Sequence, residues 1–323
     1  MFVHIRNGKK FPIKKSAQLF LLSFSSSAFK FKLRFSKYSS FLAVLAGLLF
    51  TANFALAVVD FVQVPSEVMK KEIPSSVTMP ADYASTKARL PVVYLLHGAG
   101  DDERGWGLNT PVQEMADKYG VIIVTPSVGL SWYFDSPVDS NTQFETFVSK
   151  ELVKYVDSHY RSLPKREGRA LAGLSMGGHG AMFLGLRHKD IFSAAVPISG
   201  GVDICGSHPL VGPFSERWGI KQYLGPIEIY PERWHELSVI NHVDSLKSGE
   251  LAISIDCGTG DFFIEVNRQL HAKLTEKGIS HEYVEFPGGH SWEYWRLALP
   301  RQMEFLNHHF EKFAKAPKLD KAK

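Results

Sequence analysis

A serine flanked by glycines is the residue of this chain best placed to do chemistry. Ser175 stands in the stretch Gly173-Leu174-Ser175-Met176-Gly177, a Gly-x-Ser-x-Gly pattern. In that pattern the serine occupies a strained strand-to-helix turn, and the glycines remove the Cβ atoms that would clash there. A hydroxyl held out on such a turn becomes a nucleophile when a neighbouring base takes its proton. The pattern therefore predicts a nucleophilic serine at position 175.

Acidic residues and then a histidine follow the serine along the chain, and the order serine, acid, histidine occurs in one group of catalytic triads. His290 lies in a glycine-containing loop, directly after the alternating strand pattern of residues 281–286. Two carboxylates, Asp256 and Asp261, follow the apolar run of residues 251–255. An aspartate at a strand end often binds the backbone of its own turn, so the two positions compete for the role of the acid. The order predicts a triad of Ser175, one of these aspartates and His290.

A second loop can supply the donors that a tetrahedral intermediate requires. The apolar run of residues 90–96 leads into His97-Gly98-Ala99-Gly100. An oxyanion hole needs two backbone N–H groups aimed at one oxygen atom. We expect the amide of Ala99, after the His-Gly pair, and the amide of Met176, after the nucleophile, to form it.

The elements that must position these residues alternate between strands and helices. Apolar runs predict central parallel strands at 92–96, 121–125, 170–174, 194–198, 252–255 and 283–286. Helical stretches are expected at 111–119, 142–159, 178–187, 264–277 and 292–313. This alternation is typical of an α/β fold with helices on both faces of a mostly parallel sheet, whose ligand crevice lies at the carboxyl ends of the strands. An antiparallel edge hairpin is expected at 60–83, and the segment 201–240 is interpreted as an insertion folded over the crevice.

The chain resembles the putative-esterase family of α/β-hydrolases, which includes esterase D, tributyrin esterases and the antigen 85 mycolyltransferases. The resemblance covers nearly all of residues 60–312. It rests on LLHGAGDDERGW (95–106), SWYFDSP (131–137), FETFVSKELVKYVDSHYR (144–161), GLSMGGHGAM (173–182), DCGTGDFF (256–263) and GGHSWEYW (288–295). It implies the α/β-hydrolase fold, Ser175 as nucleophile, Asp261 rather than Asp256 as acid, and His290 as base. The same resemblance points to the amides of Ala99 and Met176 as the oxyanion hole.

Four aromatic residues stand near these loops in the sequence and are candidates for substrate binding. They are Trp106, Trp132, Tyr133 and Trp292. Aromatic side chains usually pack in a core, and the alternative here is a hydrophobic or sugar-stacking wall beside the acyl or leaving group. Because bulky rings flank the catalytic loops, we expect short acyl chains.

The charge distribution distinguishes a basic N-terminal leader from the rest of the chain. Residues 1–57 hold nine Lys and Arg residues and no acid, which leaves 28 basic residues (37 − 9) against 33 acidic ones in the rest of the chain. The overall charge of +4 therefore reflects the leader and is no argument for a nucleic-acid partner. An apolar run at 41–54 and the Ala55-Leu56-Ala57 site predict a secretory signal peptide, cleaved near Ala57.

The signal-peptide prediction makes the protein secreted or periplasmic. One alternative is a membrane anchor through residues 41–59, which would be the only membrane contact expected. A second alternative is a transit peptide. The leader is unusually long for a signal peptide, so the true start of translation can lie downstream of Met1. Residues 58–312 then form the esterase domain, and the Lys-rich residues 313–323 a disordered tail. Cys205 and Cys257 are either a disulfide or two thiols, a choice the sequence leaves open. No metal site and no cofactor are expected.

The function predicted from these residues is serine carboxylic-ester hydrolysis through an acyl-enzyme, acting on a small-molecule or glycan-linked ester. One alternative is an acyltransferase, in which a sugar or alcohol acceptor replaces water at the same triad. A more remote alternative is an envelope binding protein without turnover on the same scaffold.

Overall fold

One eight-stranded sheet organises the residues that the computed structural model describes, 58–315. Its strand order is β1-β2-β4-β3-β5-β6-β9-β10. The strands are β1 Val58–Ser66, β2 Lys71–Met79, β3 Val92–Leu96, β4 Ile122–Pro126, β5 Arg169–Leu174, β6 Ala194–Ile198, β9 Ala252–Gly258 and β10 Glu282–Phe286. Two short strands, β7 Ser207–His208 and β8 Gly212–Pro213, pair separately in the insertion.

The sheet is antiparallel only at its N-terminal edge. The hairpin expected at 60–83 is present as β1 and β2, and β2 pairs antiparallel with β4. All the other neighbouring strands run parallel. Every residue of β3, β4 and β6 is buried, because helices cover both faces of this part of the sheet. The expected α/β architecture is thereby confirmed.

The five predicted helices are present with shifts of a few residues at their ends, and three short helices were not predicted. The helices are α1 Gly105–Asn109, α2 Val112–Tyr119, α3 Phe144–Thr146 continued through a π-helical turn Phe147–Leu152 into Val153–His159, α4 Met176–Arg187, α5 Ile220–Leu224, α6 Pro231–Leu237, α7 Ile264–Glu276 and α8 Trp292–Lys315. Helix α4 is buried from Met176 to Leu186, because it crosses the centre of one sheet face. Helix α8 continues to Lys315, so residues 313–315 of the expected tail are helical. Residues 316–323 and the leader, 1–57, lie outside the described residues.

The strand order places the crevice. After β4 on one side of β3, the chain crosses to β5 on the other side, so the loops leaving β3 and β5 diverge. Such a reversal opens a crevice at the carboxyl ends of the two strands. The loop after β3 contains His97 to Gly100 and the loop after β5 contains Ser175, so both predicted halves of the site meet there.

Candidate active site

Ser175 lies on a sharp turn between β5 and α4. Its backbone has φ 55° and ψ −116°, a conformation that a residue with a side chain seldom adopts. The turn is held because the Ser175 N–H donates to the carbonyl of Ile198 at 2.9 Å. A Cβ at Gly177 would lie 2.2 Å from the carbonyl oxygen of Leu96, so only glycine fits that position. The glycine spacing thus allows the strained serine that the sequence predicts.

The structure brings together the three side chains of the predicted triad. His290 Nε2 lies 2.8 Å from Ser175 Oγ. On its other side, His290 Nδ1 lies 2.9 and 3.0 Å from the two carboxylate oxygens of Asp261. The Asp261 side chain is fully buried, and its Oδ1 also accepts the Phe263 N–H at 2.8 Å. A carboxylate in this position orients the imidazole and stabilises its protonated form.

Backbone hydrogen bonds join the acid loop to the histidine loop. Gly260 N–H donates to Gly288 O at 2.8 Å, and Thr259 N–H donates to Phe286 O at 2.9 Å. The two loops approach so closely that a Cβ at Gly258 would lie 2.4 Å from Gly288 O. This contact sets the distance between Asp261 and His290, which are far apart in the sequence.

Asp256 has a different set of partners. It is fully buried and accepts hydrogen bonds from Arg301 at 3.0 Å, Gln302 at 3.1 Å and the Tyr294 hydroxyl. All three donors belong to α8, so this carboxylate ties the last helix to β9. Of the two aspartates, Asp261 contacts His290 and Asp256 does not.

The two amides predicted for the oxyanion hole flank the nucleophile. Met176 is the first residue of α4, and an N–H at this position has no intrahelical acceptor. The loop that carries Ala99 passes close to Ser175, because a Cβ at Gly98 would lie 3.5 Å from Ser175 Cβ. Within residues 58–315, neither of these N–H groups donates to a protein acceptor. Both remain available to an oxygen atom in the crevice.

Three of the four aromatic candidates for substrate binding are in the core. Trp106, Trp132 and Tyr133 are at most 1% exposed. Their polar atoms bind backbone carbonyls instead of facing a ligand, and their rings do not form an open wall. Trp292 keeps partial exposure and packs edge-on against Trp106.

A stacked pair of partly exposed aromatic rings lies next to the histidine, which the buried Phe263 and Trp295 also contact. The Phe262 ring lies 4.1 Å from the His290 ring between centroids, and Trp218 stacks on Phe262 at 5.5 Å. Both rings are partly exposed. Phe262 is adjacent to Asp261 and could have been chosen on that ground. Trp218 lies in the insertion, and no local pattern distinguishes it.

The described residues hold no group of three or more metal-ligating side chains. Cys205 is exposed and Cys257 is buried, and both are free thiols, so they do not form the disulfide that the sequence left open. No helix within 58–315 has the length and apolar character to cross a membrane.

Comparison with known proteins agrees with this geometry. An acetyl esterase of Caldicellulosiruptor saccharolyticus is 26% identical over 257 residues, which cover 75% of this chain and 95% of that protein. A diacylglycerol acyltransferase/mycolyltransferase of Mycobacterium tuberculosis is 29% identical over 283 residues, covering 75% of this chain and 78% of the relative. The solved structure of a ferulic acid esterase superposes with a TM-score of 0.67 at 28% identity, over 78% of this chain and 98% of that one.

The family match extends over most of the domain. The family described as "Putative esterase" matches residues 66–306, which include Ser175, Asp261, His290 and both loops of the crevice. The fold is that of the α/β-hydrolase esterases, as the sequence predicts. The chain therefore belongs to the "Putative esterase" family of carboxylic ester hydrolases.

Proposed function

We propose that this protein hydrolyses short-chain carboxylic esters through an acyl-enzyme formed on Ser175. The observation that carries the proposal is the continuous chain of contacts from Ser175 Oγ through His290 to the buried Asp261, with distances of 2.8 and 2.9 Å. These distances are those of a nucleophile, its base and the group that orients the base.

The reaction begins when His290 Nε2 takes the Ser175 proton as Oγ attacks the ester carbonyl carbon. The negative charge that develops on the carbonyl oxygen is bound by the N–H groups of Ala99 and Met176. Collapse of the intermediate breaks the bond to the alcohol, which leaves with the proton from His290. Water then attacks the acyl-enzyme with His290 again as base, and the carboxylic acid is released from Ser175.

The rings beside the base support a short acyl group. Phe262 and Trp218 fill space next to His290, and neither ring can be displaced without breaking its stacking on the other. The acetyl esterase relative agrees with a small acyl group. The similarity to a ferulic acid esterase favours instead an aromatic acyl group, which would lie against these rings. We propose short aliphatic acyl groups because Phe262 and Trp218 occupy the space next to His290, which leaves less room there for a larger acyl group.

The test compares the wild type with Ser175→Ala on p-nitrophenyl esters from acetyl to palmitoyl, with feruloyl and acetylated-sugar esters in the same panel. We expect kcat/KM to be highest for the shortest chains and activity to vanish in Ser175→Ala, with an unchanged circular dichroism spectrum. A fluorophosphonate probe should label the wild type and not the variant. Preference for sixteen-carbon chains would refute the substrate class. Failure of the native protein to be labelled would favour a binding protein without turnover.

Acyl transfer is the second candidate, because the mycobacterial relative is named as an acyltransferase. The same acyl-enzyme serves both reactions, and only the nucleophile that enters differs. Adding glycerol or trehalose to the ester assay separates them. A hydrolase releases free acid whatever the acceptor, whereas a transferase forms the new ester at the expense of free acid.

A further inference from the structure

Three consecutive carbonyl groups, beginning at the last residue of β3, each accept a hydrogen bond from a buried side chain. Leu96 O accepts from Trp106 Nε1 at 3.1 Å, and His97 O accepts from the Tyr133 hydroxyl at 3.0 Å. Gly98 O lies 2.8 Å from Nδ1 of His97. This segment is the start of the loop whose next amide is that of Ala99.

The tautomer of His97 follows from its second contact. His97 Nε2 lies 3.0 Å from the N–H of Val128 and must accept from it. In a neutral imidazole the other nitrogen then carries the proton, so Nδ1–H donates to Gly98 O. Burial lowers the pKa of His97, which keeps the ring neutral and this arrangement in place.

Fixing a carbonyl on one side of a peptide fixes the amide on the other. The peptide unit is planar and trans, so the C=O of one residue and the N–H of the next point in opposite directions. Because Gly98 O is held by His97, and also accepts from the Asp101 N–H at 3.3 Å, the N–H of Ala99 must point away from His97. Holding His97 O and Leu96 O in the same way prevents the preceding peptides from rotating and taking Gly98 with them.

The donor from the neighbouring loop is itself held rigidly. Tyr133 adopts φ 64°, a left-handed conformation that is costly for an aromatic residue, and its N–H donates to Ser131 Oγ at 3.2 Å. Its ring packs on the nucleophile helix, since a Cβ at Gly180 would lie 2.4 Å from Tyr133 Cδ2. The hydroxyl that binds the β3 loop is therefore tied to the same helix that begins after Ser175.

We infer that Tyr133, together with Trp106 and His97, is a positioning residue that orients the Ala99 N–H towards the oxyanion. The inference rests on the proposed function, because it assigns a role within that reaction. It also accounts for the burial of Trp106 and Tyr133, which places them behind the loop. The alternative is that the Tyr133 hydroxyl only stabilises the core.

The test is Tyr133→Phe, which removes the hydroxyl and keeps the ring. Loss of a whole oxyanion donor costs roughly 10² to 10³ in kcat. Since the Ala99 N–H stays present but less well oriented, we expect kcat to fall about 10-fold with KM unchanged. The rate of Ser175 phosphonylation by a fluorophosphonate should fall similarly. Binding of a trifluoromethyl ketone, which forms a hemiketal oxyanion on the serine, should weaken by the same factor as kcat/KM.

Tyr94→Phe is the matched control. Tyr94 is also fully buried, lies on β3 itself, and its hydroxyl has no hydrogen-bond partner among the described residues. Removing that hydroxyl should leave kcat, phosphonylation and ketone binding unchanged. If Tyr133→Phe lowers the melting temperature while kcat and ketone affinity stay at wild-type values, the inference is overturned. If instead the wild type itself shows no activity that depends on Ser175, the proposed function has failed, and not this inference alone.

Discussion

At the scale of the residue, Asp256 near the end of β9 and Asp261 in the following loop have different partners, and we therefore expect them to have different roles. Asp261 faces His290, whereas Asp256 faces Arg301 and Gln302 on α8. Both side chains are fully buried, so burial by itself does not distinguish them. The partner of each carboxylate is therefore the basis for expecting a role in the reaction for Asp261 and a role in stability for Asp256.

Asp261→Asn is expected to lower kcat by about 10⁴-fold, as the corresponding change does in other triads, because the amide favours the wrong imidazole tautomer. The folded state should be retained, since the two side chains are nearly equal in size. Steady-state kinetics and a urea unfolding curve for the same preparation measure both effects.

Asp256→Asn is the matched variant, with the same chemical change in the same segment. It removes the charge that pairs with Arg301, so the free energy of unfolding should fall by about 1 to 3 kcal/mol. Its kcat should stay within a few-fold of the wild type. Loss of activity in Asp256→Asn with a mild effect of Asp261→Asn would reverse the assignment of the acid.

At the scale of the element, the close approach of β3, β5 and α4 makes the strained serine possible. The first turn of α4 passes directly over the end of β3, and Gly177 is the point of closest contact. A helix packed this tightly against a strand cannot move aside, because it is buried along almost its whole length.

Gly177→Ala is therefore expected to be strongly destabilising. The added Cβ would lie 2.2 Å from Leu96 O and 2.6 Å from Leu96 C, both backbone atoms. Overpacking of this kind costs typically 1–3 kcal/mol and occasionally more. Thermal and urea unfolding should show the loss, together with reduced esterase activity because the Ser175 turn must shift.

Gly107→Ala is the control for the helical glycine. A Cβ at Gly107 in α1 would meet no atom within 4 Å. The change should leave stability unchanged or raise it by roughly 0.5–1 kcal/mol, since alanine restricts the unfolded chain more than glycine does. If the two variants had equal stability, tight packing at Gly177 would not explain the glycine there.

At the scale of the whole molecule, a buried neutral histidine connects stability to pH. Burial together with the nearby Arg166 and Lys312 lowers the pKa of His309 on α8 to about 4. An unfolded histidine titrates near 6.5. Between these values the unfolded chain binds more protons, so stability rises with pH across this window.

The free energy of unfolding should fall as pH is lowered from 7.5 to 5, by about 2 kcal/mol for each fully effective histidine. His309→Gln should flatten this dependence, whereas His308→Gln should leave it unchanged, because the neighbouring His308 is exposed. Urea unfolding at several pH values measures the slope. Stability that increased on acidification would contradict the neutral state of His309.

Export remains a proposal, since it rests on the basic, apolar and Ala-x-Ala pattern of residues 1–57. The N-terminal sequence of the protein purified from the medium or the periplasm would test it. We expect that sequence to begin near Val58. A protein that keeps its leader in the membrane fraction would support the anchor.

Much of the site was predictable from local sequence because local geometry sets it, but the choice of Asp261 over Asp256 came from the family resemblance, since both aspartates follow the same apolar run. The glycines around Ser175 permit one kind of turn, and an apolar run followed by a glycine-containing loop marks the end of a buried strand. The order of Ser175, Asp261 and His290 along the chain follows from the order of the strands that carry them. These features depend on neighbouring residues, whose types are read directly.

Tertiary structure alone decided which aromatic rings face the crevice. Trp106, Trp132 and Tyr133 stand beside the catalytic loops in the sequence but turn into the core, where backbone carbonyls accept their hydrogen bonds. Trp218, from the insertion, reaches the neighbourhood of His290 through Phe262 and Phe263. Whether a ring is buried depends on the distant elements that pack against it. The composition and spacing of nearby residues carry no information about that packing.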